Sequence, residues 1–180
     1  MIKRFFVSIT LFLFLLLLAS FKTKDWVLFQ KDNFIILFPT YPSIDSTFIE
    51  SKLANLTVYT FMYESTESED DSNLVYGLSV TDYPEKYFLS PEKSFLNGLF
   101  EGMIKGVVKN VNGVLLSEKE IDFKTYKGRE IKIDCADGSA IATMKIILIK
   151  NRIFALQTIS LVGKENNNNA IKFYRSFDLR

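Results

Sequence analysis

The sequence has no histidine and a single cysteine, Cys135, among its 180 residues. Without histidine, the chain lacks the commonest general base near neutral pH and the commonest zinc ligand. One cysteine cannot form an internal disulfide, and no paired spacing of cysteine or histidine is present. These absences exclude the usual zinc sites and histidine-assisted nucleophilic catalysis, and we expect no cofactor and no bound metal.

A large net charge is also missing, since 22 Lys and Arg oppose 21 Asp and Glu for a formal charge of +1. The chain therefore offers no broad basic field for nucleic acid, and none is expected as a partner. Eight glycines and four prolines are too few for a Gly/Pro-rich disordered protein. With 48% hydrophobic residues, the length suits one domain with its own core, which we assign to residues 25–180.

The one long hydrophobic run lies at the N-terminus, where Phe5–Phe21 holds no charged residue. Lys3 and Arg4 precede it, and a basic start followed by an apolar centre is typical of a secretory signal. As a helix, the run would reach roughly 26 Å, just under the ~30 Å hydrocarbon thickness of a bilayer. Residues 1–21 are thus predicted to be a signal peptide or an N-terminal membrane anchor.

Two fates of this segment stay open. Ala19 or Ser20 could end a cleaved signal, but Leu17 or Leu18 would then occupy the place where a small residue is preferred. If the segment is uncleaved, it tethers the protein, and contact with a membrane is expected only through it. In both cases we expect the domain to be exported, to the periplasm or the extracellular space.

From residue 25 onward, alternating hydrophobic residues predict β-strands arranged around one helix. Three consecutive strand-like runs are separated by Asp137-Gly138 and Lys150-Asn151, as in successive antiparallel hairpins. A helical pattern at Ala170–Phe177 leads to the C-terminus. The predicted strands are Trp26–Phe29, Phe34–Phe38, Leu56–Tyr63, Leu74–Asp82, Val114–Glu118, Ile121–Tyr126, Arg129–Cys135, Ala140–Ile149 and Arg152–Leu161. We predict an α+β fold, in which an antiparallel sheet carries one long amphipathic helix and a short C-terminal helix.

The long helix is the most clearly marked element. Ser90 is predicted as its N-cap, with Pro91 at the first helical position. Apolar residues then recur on one half of the helical wheel from Phe95 to Val107, so this face should pack on the sheet. The helix is expected to end near Asn110–Gly113, where Asn-Gly is typical of a turn.

Gly98, Gly102 and Gly106 recur every four residues along one margin of that apolar face. Each glycine costs ~1 kcal/mol of helix stability relative to alanine, so three in a row require an explanation. One explanation is a close contact for a second helix or another subunit, because small residues at this spacing let backbones approach. The other is that this flank slides under a neighbouring strand or loop of the same chain. The first makes the three glycines candidate binding residues.

Arg129 is the other candidate binding residue, because it begins a predicted strand directly after Gly128. It could pair with an acidic side chain across the sheet, or contact an anion or a protein partner. Cys135 continues the apolar alternation of the same strand and is predicted to be buried and inert.

The acidic residues offer little sign of catalysis. Glu118, Glu120 and Asp122 share one strand face by their period of two, as expected on the wet side of a sheet. Pairs of this kind leave an acid-based hydrolase as an alternative. The acidic stretch Glu64–Asp71 lacks the glycine and the alternating ligands of a calcium loop, which favours a solvated hairpin loop over a weak cation site.

Three segments carry a resemblance to a known family: Phe34–Pro42, Tyr126–Glu130 and Ser176-Phe177. In this order, around a strand pair, a helix and a strand-turn-strand unit, the chain resembles small secreted bacterial proteins of unassigned role, which are similar to the PsbP/Mog1-like superfamily. The resemblance implies an antiparallel sheet with helices packed on its faces, and an adaptor or assembly role without chemistry. No ligand position of that superfamily has a match in this chain.

These observations predict an exported, noncatalytic binding or assembly module whose partner is an unidentified protein. Two alternatives stay open. A secreted acid-based hydrolase would have two facing carboxylates in a deep cleft. A carrier of an apolar ligand would have an enclosed cavity lined by Phe and Ile with few polar groups.

Overall fold

A computed structural model describes residues 25–50, 54–65 and 71–180. The predicted signal or anchor, residues 1–21, and most of the acidic stretch lie outside these residues. The described part is an α+β fold with two antiparallel sheets and two α-helices, which confirms the predicted class. The prediction of a single sheet is wrong, because the first strands and the last residues form a separate small sheet.

The elements follow one another in the order β1 to β5, α1, β6 to β9, α2 and β10, with a 3₁₀ turn at Glu85–Tyr87 before α1. Their bounds are β1 (Val27–Lys31), β2 (Phe34–Phe38), β3 (Ser43–Glu50), β4 (Asn55–Glu64), β5 (Asn73–Asp82), α1 (Lys93–Asn110), β6 (Val114–Phe123), β7 (Tyr126–Cys135), β8 (Ala140–Ile149), β9 (Arg152–Leu161), α2 (Asn168–Ser176) and β10 (Asp178–Leu179).

The large sheet has seven strands in the order β3-β4-β5-β9-β8-β7-β6, and the small sheet has three in the order β1-β2-β10. The predicted succession of hairpins is confirmed, because β7, β8 and β9 are antiparallel neighbours. The turn after β7 places Ala136, Asp137 and Gly138 at positive φ, a conformation that glycine adopts without steric cost and aspartate tolerates. The strand predicted in two pieces after α1 is one continuous strand, β6.

An aromatic core fills the space between the large sheet and a layer made of the small sheet and α2. Phe34 of β2 is 1% exposed. Its ring centroid lies 5.9 Å from that of Phe61, 5.5 Å from that of Phe154 and 6.3 Å from that of Phe177. Burying rings of this size supplies much of the hydrophobic stabilisation of a domain. This core accounts for the alternating burial of β2.

The opposite face of the large sheet carries α1. Leu99, Phe100 and Ile104 of the helix are buried, and they belong to one apolar cluster with Ile131 and Ile133 of β7. The helix lies over the β7 and β8 side of the sheet. The same face of β5, β4 and β3 has no second α-helix among the described residues. Because α1 covers only part of this face, a cleft is left beside the helix, and it is described below.

The predicted start of α1 is wrong by two positions. The helix begins at Lys93 with Glu92 as its N-cap, and it ends at Asn110 as predicted. The Ser90 hydroxyl donates instead to the carbonyl of Leu89 at 2.8 Å. Ser94 donates to the Glu92 carboxylate at 3.2 Å. Because the Ser90 hydroxyl is bonded to Leu89, it does not cap the helix.

A buried polar cluster joins β5, β9 and the start of α2. Asn73 is fully buried, and its side-chain oxygen accepts from Ser160 at 2.7 Å and from Asn167 at 2.8 Å. Its side-chain nitrogen lies within hydrogen-bond distance of Asp71, Tyr76 and Asn167. Asn167 is also the N-cap of α2, where its side chain accepts from the Ala170 amide. One buried amide therefore connects three elements.

Candidate functional site

A cleft of about 920 Å³ lies between α1 and the uncovered part of the large sheet. Small-molecule sites range over roughly 300–1,000 Å³, so this cleft is large enough to hold a ligand. Its floor comes from β4, β5, β8 and β9, and α1 supplies one wall. The residues that line it are Ile49, Leu56, Val58, Ser79, Thr81, Tyr83, Phe95, Gly98, Leu99, Gly102, Met103, Gly106, Val107, Asn110, Val111, Met144, Ile146, Ile153, Ala155 and Gln157.

Strand pairing explains why these floor residues share one face. Val58 pairs with Thr81, and Thr81 pairs in turn with Ile153. Further along, Ser79 pairs with Ala155. Because side chains in a strand alternate between faces, residues directly opposite one another point the same way. The floor is therefore one face of four adjacent strands.

The three glycines of the stripe line the helical wall of the cleft. A methyl group at Gly98, Gly102 or Gly106 would meet no described atom of a neighbouring element within 4 Å. The explanation that this flank slides under a strand or loop of the same chain is therefore wrong among the described residues. The absent side chains instead widen the cleft along about 12 Å of helix, at 1.5 Å per residue.

Arg129 lies outside the cleft, at the other margin of α1. Its guanidinium contacts Glu118 at 3.3 Å and Glu120 at 3.1 Å, and donates to the Asn97 side chain at 3.2 Å. It also lies over the Phe100 ring, 4.9 Å from the centroid. The predicted pairing across the sheet is thus present. A partner contact through Arg129 stays a prediction, and it would have to compete with these bonds.

Cys135 is buried as predicted, with 7% of its surface exposed. Burial raises the pKa of its thiol, which disfavours the reactive thiolate. Its Sγ lies 3.4 Å from the Ala140 carbonyl across the β7–β8 turn. The environment is that of a small packed side chain.

A second, smaller cavity of about 400 Å³ lies on the aromatic-core side, near β6, β7 and α2. Glu130 lines it, and this carboxylate contacts Lys119 at 2.7 Å and Lys145 at 3.3 Å. Burial raises the pKa of Glu130, but the hydrogen bonds and charges of the two lysines outweigh that effect and leave its pKa lowered. An ionised, doubly paired carboxylate is unsuited to act as a general acid.

The lowered pKa of Glu130 predicts a pH-dependent stability. A group with a depressed folded-state pKa adds stability above its unfolded pKa, and the contribution is lost as pH falls through the folded value. We compare the free energies of unfolding of wild type and Glu130→Gln. The difference between them should be greatest near neutral pH and should shrink below the usual glutamate pKa of 4.5. Urea titrations at pH 7 and pH 3 measure the difference. A constant difference between the two proteins would contradict the assignment.

The described residues hold no group of three or more His, Cys, Asp or Glu side chains positioned for a metal. Neither helix among them combines the length and the hydrophobicity needed to cross a bilayer.

Comparison with known proteins gives a fold and no family. No family model matches the chain, and no curated protein matches it. Among solved structures, it is similar to the PsbP protein of the cyanobacterium Synechocystis sp. PCC 6803, with a TM-score of 0.57 at 8% identity over 89% of this chain and 96% of that chain. A protein of unknown function from Pseudomonas aeruginosa matches with a TM-score of 0.37 at 6% identity, over 78% of this chain and 86% of that chain. The similarity to the cyanobacterial protein shows that the described chain has a PsbP-like fold.

Proposed function

We propose that the protein is an exported, noncatalytic binding module that holds an elongated apolar ligand in the cleft between α1 and the large sheet. The observation that carries this proposal is the cleft itself, about 920 Å³ in volume and lined mainly by aliphatic and glycine residues. The predicted signal or anchor at residues 1–21 supports export. Of the predicted roles, the carrier of an apolar ligand fits this cavity best, although the cleft opens to solvent and is not enclosed.

The glycine stripe supports a ligand in this place. Three glycines lower the stability of α1 by about 1 kcal/mol each relative to alanine. No contact within the described residues requires them, because a methyl group at each would find open space. A ligand seated against the helix backbone would supply the missing reason, since any side chain at these positions would intrude on it.

The cleft also favours binding over acid-based hydrolysis. None of the residues that line it is acidic, whereas a glycosidase-type hydrolase requires two carboxylates beside the scissile bond. The carboxylate of Glu130 in the smaller cavity is committed to two lysines.

Gly102→Leu tests the proposal by filling the middle of the cleft. Apolar probes such as N-phenyl-1-naphthylamine become fluorescent when they enter an apolar site. We expect this probe to bind the wild-type full chain saturably. The leucine side chain should weaken this binding about tenfold, a change of about 1.4 kcal/mol. Folding should be retained because the position has open space around it.

Lys105→Leu is the matched control. Lys105 lies on the solvent face of the same helix, with 80% of its side chain exposed, and the same leucine there should leave probe binding unchanged. Any probe bound by the N-terminal hydrophobic run adds the same fluorescence to wild type, Gly102→Leu and Lys105→Leu. The fluorescence that Gly102→Leu loses therefore measures binding in the cleft, and we call it the Gly102-dependent signal. Equal binding by wild type and Gly102→Leu would refute the proposed site.

A further inference from the structure

We infer that the ligand is an uncharged single-chain amphiphile, with its polar head at the C-terminal end of α1 and its tail toward Leu56 and Phe95. This inference rests on the proposed function and names the class of ligand that the same cleft would take. It is carried by three features: the absence of charge along the cleft, the order of polar groups along its length, and the electrostatics of the helix terminus.

The first feature is the charge of the lining. None of the twenty residues around the cleft is Asp, Glu, Lys or Arg. A charged group buried in an apolar site is strongly disfavoured unless a partner of opposite charge compensates it. The part of the ligand inside the cleft is therefore neutral.

The second feature is the direction of α1 over the sheet. Near its start, Asn97 accepts from Arg129 at the beginning of β7. Just past its end, Gly113 lies against Ile133 and Asp134, toward the end of the same strand. The helix therefore runs parallel to β7. Each strand from β7 through β8 to β9 is antiparallel to its neighbour, so β9 also runs in the direction of the helix.

This direction orders the polar groups along the cleft. Ile153 and Ala155 lie toward the start of α1, and Gln157 lies farther toward its end. Asn110 closes the helix at that same end. The two side-chain amides carry both donors and acceptors, and neither forms a side-chain hydrogen bond with a described residue. They provide a place for a hydrogen-bonding head group.

The opposite end of the cleft is mostly apolar. Ile49 and Leu56 are paired across β3 and β4, and Val58, Phe95 and Ile153 complete this end of the lining. Thr81 and Tyr83 contribute single hydroxyl groups there. An unbranched chain fits the glycine wall between the two ends, because the stripe offers a straight trough without protruding side chains.

The third feature distinguishes a neutral head from an anionic one. The C-terminus of a helix is the negative end of the helix dipole, which disfavours a nearby carboxylate and favours donors such as hydroxyl groups. Asn110 belongs to this terminus. A glyceryl, alcohol or amide head therefore fits this end better than the carboxylate of a fatty acid.

Displacement of N-phenyl-1-naphthylamine from the full chain tests the head group. 1-Monooleoylglycerol and oleate carry the same tail, and at pH 8 only oleate is charged. We expect the monoglyceride to displace the Gly102-dependent probe signal at a concentration about tenfold lower than oleate. An equal or stronger displacement by oleate overturns the inference. Loss of the Gly102-dependent signal altogether would instead remove the proposed function, so the two failures are distinguishable.

Asn110→Leu combined with Gln157→Leu tests the polar end. Asn110 is exposed and Gln157 is half-buried, so the double variant should fold, and its own probe affinity is measured first as the reference for both displacements. The preference for the monoglyceride over oleate should fall to less than about threefold, because the head loses its partners. A preserved preference in a variant that binds the probe contradicts the role of these amides.

The orientation of the tail has its own measurement. In spectra of the complex with 1-monooleoylglycerol, the terminal methyl group of the oleoyl chain should show nuclear Overhauser effects to the methyl groups of Leu56 or Val58. Effects to the Met144 methyl group instead would reverse the ligand and overturn the inferred orientation.

Discussion

Asn73→Ala is expected to lower the free energy of unfolding by about 3 kcal/mol, because it removes the shared partner of several buried polar groups. Asn73 is fully buried, and it accepts from Ser160 and Asn167 while lying within hydrogen-bond distance of Asp71 and Tyr76. Alanine cannot replace these bonds, and the hydroxyl groups of Tyr76 and Ser160 belong to fully buried residues that have no access to bulk water. For a domain of this size, the melting temperature should fall by roughly 10 °C.

Calorimetry or urea denaturation measures this loss, and Asn168→Ala is the matched control. Asn168 is an exposed asparagine in the first turn of α2, one position after the N-cap. Its replacement should change stability by less than about 0.5 kcal/mol. If the two variants lose the same stability, the buried cluster does not have the structural role assigned to it.

Replacing all three stripe glycines, Gly98, Gly102 and Gly106, with alanine is expected to stabilise the protein by about 2–3 kcal/mol. Alanine is the better helix former by about 1 kcal/mol at each position, and each added methyl group enters open space. Because the same methyl groups narrow the cleft, affinity for N-phenyl-1-naphthylamine should fall while the melting temperature rises. A gain in stability together with a loss of affinity is typical of a binding site whose residues favour function over stability.

Gly128→Ala provides the contrast for this prediction. A methyl group at Gly128 would lie only 2.5 Å from the Ile146 carbonyl oxygen, so this substitution should destabilise the fold. A triple variant that is less stable than wild type would show that the stripe has a structural role that the described contacts do not explain.

The sequence predicts the local features of this fold well. The hairpins of β7, β8 and β9, the end of α1 at Asn110 and the helix α2 each have a short-range signal, either a turn dipeptide or a helical period. The start of α1 was wrong because the Ser90 hydroxyl bonds to its own neighbour, a choice between two local bonds that the pattern leaves undecided. The division into two sheets depends on pairing between β2 and β10, which no local pattern encodes.

The candidate site was predictable only in part. The glycine stripe is visible in the sequence because its helix cost is large, and the structure gives it a cavity to line. The floor of the cleft carries no comparable signal, since Val58, Ser79 and Ala155 are ordinary strand residues. The cleft exists because one helix covers a sheet that is wider than the helix, and this difference in width is a property of the assembled fold.

The pairing of β2 has a consequence for the order of folding. The Leu37 amide donates to the Ser176 hydroxyl across 139 positions of the chain, and β2 lies between β1 and β10. Contacts at such separation form late, because a long loop must close before they contribute. During synthesis, the ring of Phe34 can contact the ring of Phe177 only after Phe177 has left the ribosome. The aromatic core around Phe34 therefore stays incomplete until nearly the whole chain has been synthesised.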